Sequence, residues 1–525
     1  MDELLGIVKN LYPNSQKEIA AELYKIVGIR KRKPEKEDGW YKSINIYVTY
    51  PDAFEKNGKA DLFTLSEKIE YIKNLGFNAI HILPFLDSSM SDGGFDIKKY
   101  LSVRDDLGGM NGIESVIAKS KENDINIFMD LILNHVSSSH QWFLKATAGD
   151  QYYRNYFIYQ EDKPILLRKY KNNKGHWAEY LINGNKVSIR IIFPQIDSEI
   201  PHWFQGKDGY WYYHTFYESQ PDLNWENFNV FIEFVEILRF WAKKGMNFRL
   251  DAISFIGKEL SSGDIENNPK IHQILRAFNI ILKMINPDFV FLAEVGQPLE
   301  LIKNYFGTKN QEEVSMAYNF SLMQSIWYSF LTKNSEILKD TLDKTFKGIP
   351  AHSSWVNFLR NHDELTLEFM DKEMRNLIYS ILSVRGADFR DGFGISGRTM
   401  DFVSQNENDL IFLYTVLASL PGSIALIYGD ELGKTNSIDN KEFTLLDTRE
   451  INRGKITNSE LSDKKSQYIY SQLSKVFNKR VSISSFFETI PQVSSENDKL
   501  LLKYDLNGLK LNVKIDFSQR TCEWS

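Results

Sequence analysis

The chain has 525 residues, 42% of them apolar and 25% charged, with a net charge of −6 and a pI near 6.0. That composition excludes a disordered chain and any basic surface for nucleic acid or anionic membrane, and the length exceeds one ordinary core. The single cysteine, Cys522, excludes internal disulfides and cysteine-based zinc sites. It fits a reducing compartment, and Met1-Asp2-Glu3-Leu4-Leu5 has no signal-peptide pattern, so the expected location is cytoplasmic.

Residues 1–35 read as a helical extension, with Leu4, Leu5, Val8 and Leu11 on one face and Ile19, Leu23 and Ile26 on another. The run Arg30-Lys31-Arg32-Lys33-Pro34 reads as the solvated linker that ends it. From Ser43 onward short apolar strands alternate with helical stretches, at 43–50, 79–85, 126–133, 247–253, 289–295, 316–320, 354–360 and 423–429. Eight strands in this pattern are what a closed parallel barrel requires, with Gly76 and Gly245 at helix-to-strand turns. The expected barrel occupies 36–135 and 226–455. Residues 136–225 are too long for a plain crossover, and their aromatic stretches, such as Tyr210-Trp211-Tyr212-Tyr213, indicate an inserted domain. Alternation in Leu500-Leu501-Leu502-Lys503-Tyr504 and Leu511-Asn512-Val513-Lys514-Ile515 predicts a small C-terminal β-domain over 480–525. The predicted fold class is α/β, a (β/α)8 barrel carrying these additions.

Four of the strands run from apolar residues into groups that can carry charge. They read Asp130-Leu-Ile-Leu-Asn134-His135, Phe248-Arg249-Leu250-Asp251-Ala252, Phe291-Leu292-Ala293-Glu294 and Phe358-Leu359-Arg360-Asn361-His362-Asp363. Catalytic groups of a parallel barrel sit at the C-terminal ends of its strands, which is where these fall. A mildly acidic chain with 14% aromatic residues suits a neutral substrate with flat apolar faces, such as a sugar.

The four stretches, in this order, resemble the signature regions of the α-amylase superfamily, glycoside hydrolase family 13. The resemblance runs from about Ser43 to about Arg453. It implies that the insertion is domain B, which walls one side of the active site. Gln220-Pro221-Asp222-Leu223-Asn224 resembles the fifth region of the oligo-1,6-glucosidase, trehalose synthase and amylosucrase branch. The segment from Arg249 to Lys258 is most similar to amylosucrases, and Asn361-His362-Asp363-Glu364-Leu365-Thr366-Leu367-Glu368 to trehalose synthases.

Cleaving an α-glycoside with retention needs two carboxyl groups about 5–5.5 Å apart. Asp251 is the candidate nucleophile, with Arg249 on the same strand face (i, i+2) expected to keep it ionised. Glu294 is the candidate acid/base, its pKa raised by an apolar approach and a second carboxylate. Asp363 would bind sugar hydroxyls more strongly as the ring flattens, and His135 and His362 are neutral donors. His81 belongs to no family motif and reads as a structural strand residue. Phe95 stands where the resemblance places a tyrosine that stacks on the first sugar; it keeps the face and loses the hydroxyl. Asp92 resembles the aspartate with which pocket-shaped members grip a non-reducing glucose. Arg449, in Leu446-Asp447-Thr448-Arg449, resembles the arginine that pairs with it. Such a pair would close the cleft beyond one sugar.

Asn134 matches a calcium ligand of α-amylases, but Ser254-Phe255 replaces the residues that complete that site, and the loop Phe54–Leu62 is poor in acids. No metal and no cofactor are expected, since hard cations need several oxygen ligands. The expected activity is a retaining exo-acting α-glucosidase that hydrolyses short α-glucosides of the sucrose, maltose or isomaltose type. A glucosyltransferase or isomerase of the amylosucrase or trehalose synthase type shares every catalytic residue and stays open. A non-catalytic amylase-like binding protein would need neither the intact acids nor the Arg249-Asp251 arrangement. The expected partner is a small oligosaccharide or disaccharide, with no nucleic acid or membrane; oligomeric state is not legible.

Overall fold

The computed structural model describes residues 1–27, 33–172, 175–182, 184–192, 198–261, 263, 265–437 and 448–525. Most of the run Arg30–Pro34 and residues Leu446 and Asp447 lie outside them. Eight parallel strands close on themselves: β1 (Asn45–Thr49), β2 (Ala79–Ile82), β3 (Asn126–Ile132), β4 (Met246–Asp251), β5 (Phe291–Ala293), β6 (Met316–Tyr318), β7 (Ser354–Phe358) and β8 (Ser423–Ile427). β8 pairs back onto β1 with Ala425 opposite Ile46. These strands are buried on both faces, which is why they read as near-continuous apolar runs rather than alternating ones.

The surrounding helices follow from the 3.6-residue period. Phe228–Lys243 is capped by the Asn227 side chain, which accepts from the Asn229 amide, and it buries Phe231, Phe234, Val235, Leu238, Trp241 and Ala242 on one face. Gly76 ends the helix before β2 at φ +101, and a Cβ there would lie 2.8 Å from the Asn478 backbone nitrogen, so both the turn and the packing require glycine. The N-terminal end of the barrel is sealed by the buried Arg480, whose guanidinium donates to the carbonyls of Ala418 (2.6 Å), Leu420 (3.0 Å) and Gly422 and to Asn45 Oδ1 (3.1 Å).

At the N-terminus, helices Asp2–Leu11 and Gln16–Val27 bury Leu4, Val8, Ile19 and Leu23. Between β3 and the helix Phe228–Lys243 lie two three-stranded antiparallel sheets, one built from Ile165–Asn172, Gly175–Ile182 and Asn185–Ile191. The chain ends in a four-stranded antiparallel sheet over Gln492–Trp524. The fold is therefore a (β/α)8 barrel with an insertion after the third strand and a small C-terminal β-domain. No helix among the described residues is long and apolar enough to cross a membrane.

Candidate active site

At the C-terminal end of β4, Arg249 and Asp251 point to the same side because side chains alternate along a strand. Arg249 is 1% exposed and gathers three carboxylates. Its Nη1 donates to Asp130 Oδ1 (2.7 Å) and to Asp251 Oδ1 (2.5 Å), and its Nη2 pairs with Glu294 Oε1. Asp130 lies directly across from Arg249 in the β3–β4 register and accepts from His81 Nε2 at 3.1 Å. His81 thus fixes Asp130, Asp130 fixes Arg249, and Arg249 spans Asp251 and Glu294 with a single head group. Ala252, immediately after Asp251, sits at φ +45, a left-handed turn that side chains rarely adopt.

The electrostatics depart from one expectation. Arg249 does not by itself keep Asp251 in the ordinary range: burial, with Asp130, Asp363 and Asp92 nearby, outweighs it and pushes the carboxyl up to about 7. Burial and the repulsion of Asp251 and Asp363 push Glu294 higher, to about 8. Both carboxyls are thus held above the ordinary carboxylate range by burial and mutual repulsion. Burial also raises Asp363, but Arg449, Arg453 and Arg249 hold it well below the carboxylate range. His362, lowered to about 3 by burial, is a neutral imidazole 3.3 Å from Asp363.

Phe95 stacks on His362 with ring centroids 5.3 Å apart and planes 13° from parallel. The Arg249 guanidinium lies 5.7 Å from the same ring. Asp96 holds the loop that carries Phe95 by accepting from the Ser91 hydroxyl (2.8 Å) and the Ser91 amide (3.3 Å). Across the site, Arg449 bridges two acids, with Nη2 on Asp92 Oδ1 at 3.1 Å and Nη1 on Asp363 Oδ1 at 3.0 Å. Gln220 holds the other oxygen of Asp92 at 2.9 Å.

His135 is buried, neutral because burial lowers its pKa, and packed edge-on against Phe216 at 5.3 Å. Its Nε2 is buried and has no hydrogen-bond partner among the described residues. A cavity of about 160 Å³ opens beside Glu294 and Asp363, with Phe216, Phe255, Phe320, Arg190, Glu364 and Arg449 in its wall.

The place where an α-amylase would bind calcium does not fit a cation here. Lys258, 1% exposed, puts its ammonium 2.6 Å from both Asn134 Oδ1 and Asp222 Oδ2. Asp222 further accepts from Asn134 Nδ2 (3.1 Å) and from the Thr215 hydroxyl (2.5 Å). The oxygens that would ligate a metal already surround a positive charge. Among the described residues no group of three or more His, Cys, Asp and Glu side chains is placed to hold a metal ion.

All nine residues picked from the sequence thus fall at this end of the barrel. The sequence reading placed Asp130, Gln220 and Lys258 in signature stretches without giving them a site role, and it gave none to Arg453. Arg453 follows Arg449 by four residues, and its Nη2 reaches Asp363 Oδ1 at 3.4 Å. The i, i+4 spacing of two arginines was the available signal.

Residues 48–382 match the family model for the α-amylase catalytic domain. The chain is 31% identical over 402 residues to a trehalose synthase/amylase of Mycobacterium tuberculosis, covering 75% of this chain and 63% of that one. It is 31% identical over 290 residues to a glucan 1,6-alpha-glucosidase of Streptococcus pneumoniae, covering 54% of this chain and 49% of that one. The chain therefore spans less than two thirds of the length of these relatives. Among solved structures, sucrose 6F-phosphate phosphorylase from Thermoanaerobacter thermosaccharolyticum shares the fold with a TM-score of 0.75 at 20% identity, covering 92% of this chain and 96% of that one. With the family model spanning well over half of the chain, the protein belongs to the α-amylase family, glycoside hydrolase family 13.

Proposed function

We propose that the protein is a retaining, exo-acting enzyme that removes one glucose from the non-reducing end of a short α-glucoside through a covalent glucosyl-enzyme. The observation that carries this reading is the Arg449 bridge between Asp92 and Asp363. It stands where a longer glucan would have to continue past the first sugar, and Gln220 braces it from the insertion. Asp251 attacks the anomeric carbon while Glu294, which holds the proton, gives it to the departing oxygen. Asp251 then carries the glucosyl group as an ester, and Glu294, now ionised, deprotonates the incoming hydroxyl. Asp363, kept ionised by its arginines, accepts from sugar hydroxyls, and Phe95 with His362 supplies the stacking face.

Whether water or a sugar releases the glucosyl group is a separate question. A glucosyl transfer or isomerisation reading is favoured by the ion pairs of Arg190 from the insertion with Glu266 (2.8 Å) and with Glu368. They tie the insertion to the barrel beside the cavity that Glu294 lines, a contact that would help retain the released sugar. The similarity to trehalose synthases supports the same reading.

Incubation with sucrose, maltose, isomaltose, trehalose and starch, followed by NMR, tests both. The expected first product is α-glucose or an α-linked transfer product from a short substrate, with starch left uncut internally. Initial release of β-glucose, or rapid internal cleavage of starch, would overturn the proposal.

A further inference from the structure

A second cavity, of about 740 Å³, opens between the tip of the insertion and the barrel, and it shares no lining residue with the one beside Glu294. Its volume falls within the roughly 300–1,000 Å³ of small-molecule sites. On the insertion side the wall is Lys171 and Asn172, at the end of the strand Ile165–Asn172. On the barrel side it is the helix Lys372–Leu382, with Lys372, Arg375 and Tyr379, and the turn over 388–393.

The hydrogen bonding of this wall is one-sided. Its two acids are already supplied with donors. Asp388 accepts from the Tyr379 hydroxyl (2.7 Å) and from the amides of Gly392 (2.8 Å) and Asp391 (3.1 Å). Asp391 accepts from Lys171 (3.1 Å) and His176 (2.9 Å). The helix cations are not supplied in turn. Among the described residues no carboxylate lies within ion-pair distance of Lys372 or Arg375. They stand three residues apart, on one helix face. Arg375 is seated over the Phe393 ring at 4.4 Å, and Phe393 is 4% exposed. That contact covers one face of the guanidinium and leaves its N–H edge to donate. Three cations thus face two satisfied carboxylates, in a chain whose net charge is −6.

We infer that this cavity binds a phosphate group, free or carried on a small sugar, through Lys372, Arg375 and Lys171, and that the bound anion ties the insertion to the barrel from outside the active site. A phosphate dianion offers only acceptors, which is what an unpaired ammonium and guanidinium require, and the planar guanidinium fork meets two of its oxygens at once. A neutral sugar by itself would leave both cations unpaired. Asp391 keeps His176 when Lys171 turns to the ligand. The cavity has room for a sugar beside the phosphate, bordered by Asn172 and Asn376.

The inference does not depend on which glucoside the enzyme takes. Isothermal titration calorimetry on the full chain, at low ionic strength where the attraction is least screened, compares glucose 6-phosphate, inorganic phosphate and glucose as probes. Wild type is set against Lys372→Gln, Arg375→Gln and Lys171→Ala, each checked by thermal melting. A phosphate-bearing probe should bind the wild type, with an affinity that falls about tenfold in each variant, the size of one charge-assisted hydrogen bond. Any binding of glucose should be the same in all four proteins. Tighter binding of glucose 6-phosphate than of inorganic phosphate assigns the site to a phosphorylated sugar, and equal affinity assigns it to the free ion. Absence of binding by both phosphate probes, or an affinity within threefold of wild type in folded Lys372→Gln and Arg375→Gln, overturns the site. Weakening in those two with full affinity in Lys171→Ala overturns the tie between insertion and barrel.

Discussion

At the residue scale the site is a problem of placing one proton between two buried carboxyls. The proposed reaction requires Asp251 ionised and Glu294 protonated, and burial pushes their titrations to about 7 and about 8. The pair titrates as a unit, so kcat/KM should rise as pH climbs through about 7 and fall as it passes about 8. Asp251→Asn should lower turnover by several orders of magnitude on a folded protein, since no glucosyl ester can form. Glu294→Gln should be nearly as damaging with disaccharides and milder with α-glucosyl fluoride, where the alkaline limb of the profile should vanish. An alkaline limb that persists in Glu294→Gln would assign it to another group. The two acids were legible in the sequence because each ends an apolar strand. The proton balance was not, because it depends on Asp130, which sits in an adjacent strand and reaches Arg249 only through the β3–β4 register. A second test at this scale concerns Lys258. Lys258→Met removes the cation that compensates Asp222 and leaves an unpaired buried charge, at a cost of about 3–5 kcal/mol. Denaturant unfolding would measure it. Excess EDTA, by contrast, should move neither the wild-type melting temperature nor its activity; a fall in Tm reversed by calcium would contradict the reading of Lys258 as the resident positive charge.

At the element scale the loops after β2 and β8 meet over the barrel mouth. The loop after β2 is held by Asp96, which fixes Ser91 and presents Asp92 on one side and Phe95 on the other. The turn Thr448–Asn452 presents Arg449 to Asp92 and Asp363. Arg449→Ala removes charge-assisted hydrogen bonds to both Asp92 and Asp363, so kcat/KM for short substrates should fall by about 10²-fold, mostly through KM, in a variant that still folds. If the bridge is what confines the first sugar, the variant should also begin to cut starch internally. Unchanged kinetics on short substrates would remove Arg449 from the binding site. The eight strands were readable from apolar runs bounded by polar ends, and their observed bounds fall within the predicted ranges, or one residue outside them for β4. The small strands after β7, including Gly394–Ser396, were not. At three residues they carry no periodicity, and their pairing with Leu365–Thr366 is a tertiary event.

At the scale of the whole molecule, the insertion is tied across the barrel mouth to two different loops. Arg190, at the end of the strand Asn185–Ile191, spans Glu266 after β4 and Glu368 after β7, and Glu368 in turn holds Arg390. Farther out, Asp391 accepts from Lys171 at 3.1 Å and His176 at 2.9 Å, joining the tip of the insertion to the loop that carries Arg390. The inner contacts are largely buried and the outer ones are exposed, so closure should depend on Arg190 far more than on Lys171 or His176. Closure matters because the glucosyl-enzyme reacts with whatever hydroxyl is nearest. A sealed entrance holds the departed sugar in place and keeps water scarce, while an opened one lets the sugar escape and water enter. Arg190→Ala removes the charged contact by which the insertion holds both barrel loops, so the insertion should open more readily. The expected result is a shift of products from transfer toward hydrolysis, by several-fold in the ratio, with formation of the glucosyl-enzyme from α-glucosyl fluoride less affected than the product ratio. Lys171→Ala, which touches only the outer contact, should change the ratio far less. Equal effects from the two variants, or no change in either, would show that the fate of the glucosyl group is set within the pocket rather than by the contact between insertion and barrel.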